Sequence, residues 1–336
     1  MTQRKDAVVM SIILGILAGI GLPVQTSINT ALRKKVGSPY NASLVSFVVA
    51  LLFLVLLLLV TGQGIYIPVE RLFVQEPGWI WAGGLCGVIF LTGNILLLTK
   101  VGSVQTVILP VLGQILMGLV VDSLGLFYAV QSKLTLLRAG GAVLVVAGVL
   151  IVSMAKKSKN PGTSQAVLPE GERAGQPVKI GNQGAHLWLW QIFGVLAGML
   201  SATQTAINGY LGKVLASPVK ASVISFIIGI IFLEIVCVIM FRIDHSAKTS
   251  RPKHEKHPWW IWFGGVLGGL YILANVVLSG QIGTGMTVIV LLVGATSGGL
   301  LVDHFGLFGT DKKPINAVKL LGVLVMIAGA AAIKLF

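Results

Sequence analysis

The sequence is a duplication of one unit. Residues 15–47 align without a gap with residues 194–226 at an offset of 179, and nearly half of the aligned positions are identical. After a two-residue insertion the offset becomes 181, and it holds from "WIWAGG" and "WIWFGG" to paired glycines near the end of each copy. A duplication over the whole length means that the two copies share one architecture.

Each copy carries five apolar runs long enough to cross a membrane as helices. The chain is 55% hydrophobic and 11% charged, which lies outside the range of soluble globular domains. Hydropathy windows of about 19 residues predict an all-α polytopic membrane protein with ten transmembrane helices. These spans lie near residues 8–32, 41–61, 78–99, 103–122, 137–154, 187–211, 221–241, 259–279, 283–302 and 318–335. The first resembles a signal peptide, but its repetition in mid-chain marks it as a retained span.

The order of these runs predicts two inverted repeats. The first five-span repeat covers residues 1–154 and the second covers residues 187–336, and residues 155–186 form a linker rich in Gly, Pro and charge. Such a linker does not cross lipid. Because each copy has an odd number of spans, the second copy starts on the opposite side of the membrane from the first and is therefore inverted. Inverted repeats of this kind are typical of secondary transporters. An inert duplicated anchor is the alternative, but it would need no polar residues in register.

The net charge of +14 comes from Lys and Arg residues that lie almost entirely in loops, and no basic helix is free to bind nucleic acid. We interpret these residues as setting the orientation of the protein in the membrane and as contacting lipid headgroups. By alternation of the spans, 17 of the 25 basic residues fall on the side of the linker. The positive-inside rule therefore predicts a cytoplasmic linker and external termini, in a multi-pass protein of the cell membrane.

Four motifs recur in both copies: "AGxxxxxQTxIN", "SPxxASxxSF", "WIWxGG" and "VDxxG". With them the chain resembles the YdcZ-like branch of the drug/metabolite transporter superfamily, whose five-span units occur singly, in pairs or fused as antiparallel halves. The resemblance implies a transporter, favours export and leaves the substrate open, since the wider superfamily includes exporters of amino acids, other metabolites and cationic drugs. A single fused chain is the expected functional unit, with a homodimer as the alternative.

Paired amides inside the spans are the candidate substrate site. In "QTSIN" and "QTAIN" a Gln and an Asn lie four residues apart, so each pair presents one stripe to one neighbouring helix. Amide side chains that face lipid would lose their hydrogen bonds, at a cost in free energy. We therefore expect them to point inward, either to clamp helices together or to bind a polar solute. The predicted substrate-binding residues are Gln25, Asn29, Asn94, Gln204, Asn208 and Asn275.

Glu234 is the candidate for proton coupling, because it is the only acidic residue well inside a predicted span. Its counterpart in the first copy is Val55. The alternative is that Glu234 reaches the interface near Arg242. Asp122 and Asp303, which end the fourth span of each copy, are interpreted as interfacial caps or loop anchors.

Small residues spaced four apart predict close helix contacts. Such pairs are Gly15 and Gly19, Gly83 and Gly87, Gly194 and Gly198, Gly264 and Gly268, and Gly294 and Gly298.

The chain contains no phosphate loop, zinc-protease pair or nucleophile elbow, so an enzyme is not expected, and neither is a cofactor or metal. Cys86 and Cys237 lie within predicted spans and are not spaced as a metal site or redox pair. The function predicted is secondary transport, with export favoured, of a small polar or amphipathic solute by alternating access. A passive ion or small-solute channel and a non-transporting membrane scaffold remain as alternatives.

Overall fold

A computed structural model describes residues 2–154, 187–243, 258–309, 312 and 314–335, and this part of the chain is helical, as predicted. The α-helices are α1 (Thr2–Val36), α2 (Pro39–Val60), α3 (Val69–Gln75), α4 (Ala82–Leu124), α5 (Leu136–Met154), α6 (Leu187–Val214), α7 (Pro218–Ile243), α8 (Phe263–Ile282), α9 (Thr284–Phe305) and α10 (Ala317–Leu335). The predicted linker, residues 155–186, lies outside the described residues.

Local sequence signals explain where several helices begin and end. The side chain of Ser38 accepts a hydrogen bond from the Tyr40 amide at 3.2 Å, and Pro39 occupies the first helical position of α2. Gly125 and Gly306 end α4 and α9 with φ angles of 65° and 63°, a left-handed conformation that glycine adopts without a steric penalty. These two glycines are equivalent in the duplication, so both copies stop this helix in the same way.

The outer faces of the helices are apolar. By length and composition, five described segments could cross a membrane: Val9–Arg33, Tyr40–Val60, Pro218–Arg242, Trp259–Ile282 and Thr284–Phe305. Shorter apolar helices include Gly78–Leu91, Ile108–Leu124, Leu136–Val152 and Ala317–Ile333. On α2, Leu52 and Leu56 are 63% and 57% exposed, and similar side chains line the outside of α1, α5, α7 and α10. Such a surface is stable only in contact with lipid, so the chain is a multi-pass membrane protein.

Helix α4 is one uninterrupted run of helical residues, but its two ends run in opposite directions. A Cβ atom on Gly194 of α6 would lie 3.3 Å from Leu97 Cδ1 and equally far from Leu109 Cδ1. In a straight helix those leucines would be separated by about 18 Å along the axis. The chain therefore folds back between them, and the two arms correspond to the helices α8 and α9 of the second copy.

The contacts between the two halves are reciprocal. Helix α5 packs antiparallel on α10, with Gly141 against Gly329 and Gly148 against Gly322. The duplication pairs Gly141 with Gly322 and Gly148 with Gly329, so each contact is equivalent to the other with the halves exchanged. The rings of Phe47 and Phe226, themselves equivalent residues, meet edge-on at a centroid distance of 4.9 Å between α2 and α7.

The same reciprocity holds for α1 and α6. Helix α1 packs on α9, where Gly19 faces the Leu291 carbonyl, and α6 packs on the second arm of α4, where Gly198 faces the Pro110 carbonyl. These contacts are equivalent in the duplication, and they bring backbone against backbone. The glycine pairs predicted from the sequence therefore make the close helix contacts expected of them.

Candidate functional site

The amide pair of α6 packs on two glycines of α4. A Cβ atom on Gly83 would fall on Asn208 Oδ1, and one on Gly87 would lie 2.6 Å from Gln204 Nε2. Both amide side chains are buried, at 2% and 8% exposure, and Asn208 Nδ2 donates to Ser225 Oγ at 3.1 Å. Both amides of the stripe face α4, as the four-residue spacing predicts, and Asn208 also reaches α7 through Ser225.

The amide pair of α1 makes the equivalent contacts with α8. A Cβ atom on Gly264 would fall on Asn29 Oδ1, and one on Gly268 would lie 2.5 Å from Gln25 Nε2. Both side chains are half-buried, in contrast to the fully buried pair of α6. Each amide pair therefore lies in its own interface between the two halves of the chain, α1 with α8 and α6 with α4.

Two amide oxygens in these interfaces find no conventional hydrogen-bond donor among the described residues. Asn29 Oδ1 and Asn208 Oδ1 are sealed from solvent, and no described N–H or O–H group donates to them. Each faces the position of a glycine Cβ, which in glycine is occupied by a Cα hydrogen, so weak Cα–H···O contacts are the interactions that remain. A larger residue than glycine at position 83 or 264 would remove this contact.

Asn275 is held by a separate pair of bonds. Its Oδ1 accepts from the Thr205 hydroxyl at 3.0 Å, and its Nδ2 donates to the Tyr271 carbonyl at 2.8 Å. It therefore ties α8 to α6, one residue away from the amide stripe on that helix. The side chain of its counterpart Asn94 lies outside the described residues.

Two cavities lie away from the amides. The larger, about 280 Å³, is lined by apolar side chains: Ile12, Ile16, Met286, Val290, Val293, Ile327, Ala330 and Ala331. The smaller, about 220 Å³, is polar and lies where α4 and α5 of the first half meet the junction of α8 and α9. Its walls are Asp122, Val130, Gln131, Ser132, Arg138, Gln281, Ile282 and Gly283.

Asp122 joins the two halves beside the polar cavity. Its carboxylate accepts hydrogen bonds from the amides of Thr284 and Gly285 at 2.8 and 2.9 Å, which caps the first turn of α9. Arg138 Nη2 lies 3.6 Å from Asp122 Oδ2. The sequence predicted a capping role for Asp122, and the structure adds that the capped helix belongs to the other copy. Arg138 was missed, although the duplication aligns it with another basic residue, Lys319.

Glu234 lies on an exposed face of α7 that it shares with the apolar side chains of Ile231, Ile235 and Val238. This position is apart from the amide interfaces and from both cavities. Among the residues that the structure describes, no group of three His, Cys, Asp or Glu side chains could hold a metal ion.

A family of known proteins matches this chain twice. The family described as "Putative inner membrane exporter, YdcZ" matches residues 10–151 and again residues 189–332. The chain belongs to this family. Membership agrees with the resemblance seen in the sequence motifs, places the protein in the cell membrane and supports a transporter role; the family is not one of enzymes.

Solved structures support the fold. One, described only as "Crystal structure of protein", superposes with a TM-score of 0.62 at 14% identity, over 98% of this chain and 97% of the other. At that identity the likeness concerns the fold alone. No curated relative matches the chain.

Proposed function

We propose that this protein is a secondary exporter that moves a small polar or amphipathic solute by alternating access, with ten spans arranged as two inverted five-span repeats. The observation that carries the proposal is the reciprocity of the contacts between the halves. Antiparallel packing of the equivalent helices α5 and α10 supports a two-fold axis perpendicular to those helices, and hence parallel to the membrane plane.

Reciprocal contacts supply what alternating access requires. In an inverted-repeat transporter the two halves have the same fold but differ in conformation at any moment. When the halves exchange conformations, the opening moves from one face of the membrane to the other. Glycine interfaces suit such movement because their backbones touch without interlocking side chains. The interfaces of α1 with α9 and of α6 with α4 are of this kind.

The amide pairs contribute to the same interfaces. We infer that Gln25, Asn29, Gln204 and Asn208 hold the two halves together, because they pack on glycines and line neither of the two cavities described. Interhelical bonds of this type average about 0.6 kcal/mol, weak enough to be remade during a transport cycle. Direct binding of solute by these amides, together with Asn94 and Asn275, is the alternative.

The test begins with a screen of metabolites for ligand-induced thermal stabilisation of the purified protein, followed by flux measurements in liposomes. A transporter should show saturable uptake and counterflow, in which unlabelled solute inside drives entry of labelled solute. Single-channel currents in planar bilayers would instead identify a channel. A protein that binds a membrane partner and yields neither counterflow nor current would be a scaffold, and the proposal would be wrong.

Proton coupling through Glu234 remains a separate proposal. A lone carboxyl group on an apolar span supports it, whereas the exposed position on α7 supports the alternative that Glu234 reaches the membrane interface. The two readings differ in whether neutralising the side chain abolishes transport driven by a pH gradient.

A further inference from the structure

Asp122 lines the polar cavity, and its carboxylate lies beside groups from both halves of the protein. It is 1% exposed and belongs to the first half, but both of its oxygens accept amide hydrogens from the first turn of α9 in the second half. A buried carboxylate is stable only when it is paired or fully hydrogen-bonded. The bonds to Thr284 and Gly285 therefore tie α9 to the end of α4.

Arg138 is an alternative partner for the same oxygens. Its Nη1 donates to the carbonyls of Ser132 and Lys133 at 2.8 and 3.1 Å, and its Nη2 is 3.6 Å from Asp122 Oδ2, beyond hydrogen-bond length. Its buried Nε has no hydrogen-bond partner in the part of the chain that the structure describes. Nη2 and Nε form the fork with which arginine binds a carboxylate through two parallel bonds. In this conformation Nη2 is within ion-pair distance of Asp122, but neither arm of the fork makes a hydrogen bond to the carboxylate.

Resting on the proposed alternating access, we infer that Asp122 is a latch that exchanges partners during transport. With the latch closed, Asp122 caps α9 and holds the halves together at this face of the membrane. When α9 moves away, the freed oxygens take the bidentate pair offered by Arg138. The carboxylate is thus satisfied in both conformations, so opening does not leave a buried charge unpaired.

The second copy shows what the fork adds. By the offset of 181, Lys319 corresponds to Arg138, and its Nζ donates to the Pro314 carbonyl at 3.1 Å, the counterpart of the bond to Lys133. It is 5% exposed, as Arg138 is. A lysine in this position keeps the buried charge and its carbonyl bond, but it has no fork to capture a carboxylate. Substitution of Arg138 by Lys is therefore a change that this fold already accommodates in its other half.

The experiment measures opening of the latch without any solute. Thr284, 1% exposed beside Asp122, is replaced by Cys in a background lacking the two native cysteines. Reaction with a membrane-impermeant maleimide is followed in intact cells and in inside-out vesicles, on whichever side reacts faster. Asp122→Asn should accelerate labelling about tenfold, which corresponds to about 1.4 kcal/mol. The closed conformation loses its two charge-assisted bonds to α9, whereas in the open conformation, where the reagent and water reach this site, water replaces the lost partner. Arg138→Lys should slow it, because the open conformation loses its partner for Asp122.

Opposite signs distinguish a latch from a merely structural ion pair, which both substitutions would loosen. Acceleration by Arg138→Lys, or an unchanged rate with Asp122→Asn, overturns the inference. Lys133→Gln is the matched control: it removes an exposed charge from the same loop, keeps the carbonyl that Arg138 uses, and should leave the rate unchanged. Elution as a single peak in detergent establishes that each variant is folded. Because labelling needs no solute, the latch can fail while counterflow stands, and the reverse also holds.

Discussion

Two adjacent glycines in α5 provide a direct measure of how tightly the halves pack. A Cβ atom on Gly141 would lie 2.7 Å from the Gly329 carbonyl oxygen and 2.6 Å from Ile333 Cγ1, whereas one on Gly140 would meet nothing within 4 Å. Replacement by Ala gains about 0.8–1 kcal/mol of helix propensity at either position. At Gly141 it also forces α10 to move, because the contact is with backbone, and overpacking of this kind generally costs 1–3 kcal/mol.

Gly140→Ala should therefore stabilise the protein, and Gly141→Ala should lie about 1–3 kcal/mol below it. The comparison cancels helix propensity because both sites are in one helix. The measurement is the temperature at which half of the purified protein loses its monodisperse peak after heating in detergent. Reciprocity adds that Gly322→Ala, the equivalent change in α10, should behave as Gly141→Ala does. Equal stability of the Gly140 and Gly141 variants would refute the described packing of α5 on α10.

Three further outcomes are expected. Cysteines at Thr2 and Ser164, in a background without native cysteines, should label from opposite sides of the membrane, with Thr2 outside; equal labelling would contradict five spans per repeat. If the amides clamp the helices, Asn29→Leu and Asn208→Leu should each lower thermal stability and leave the solute affinity at the wild-type value. If the amides bind the solute, the binding free energy should instead weaken by about 1–3 kcal/mol while thermal stability is preserved. Glu234→Gln should abolish proton-driven transport and spare exchange if Glu234 couples protons; normal uptake across a pH gradient would make it structural.

The helices could be predicted because lipid leaves few alternatives for an apolar run. Helices α1, α2, α6 and α7 follow the predicted ranges closely, since a backbone in hydrocarbon must satisfy its own hydrogen bonds. The arrangement of the helices predicted as the third and fourth spans of each copy was harder to predict. Gly283, with a φ angle of 83°, separates α8 from α9, but in the first half the helical run passes through the equivalent Gly102 even though the chain reverses. Hydropathy alone does not report such differences.

The inward position of the paired amides could be predicted from the sequence, but the residues that they pack against could not. A spacing of four residues is sufficient to place Gln204 and Asn208 on one face, and their cost in lipid is sufficient to turn that face inward. Nothing local indicates that Gly83 and Gly87, more than 100 residues earlier, form the opposing surface. The duplication carries that signal, because both copies keep the glycine pair and the amide pair in register.

Positions at which the two copies carry different residues can make one transport conformation more stable than the other. Gln114 Nε2 donates to Ser201 Oγ at 3.1 Å across the interface of α4 and α6, and the equivalent residues, Ala295 and Leu22, have no side chain that could form such a bond. In perfectly inverted repeats the two conformations exchanged during transport would be equally stable. One interhelical bond of about 0.6 kcal/mol on one side only would favour one of them about threefold. The measurement compares the labelling rates of two reporter cysteines, one near each face of the membrane. Gln114→Ala should therefore bring the ratio of these two rates closer to one by about threefold. A change in thermal stability with no change in that ratio would mean that the bond is made equally in both conformations and that the bias arises from other asymmetric residues.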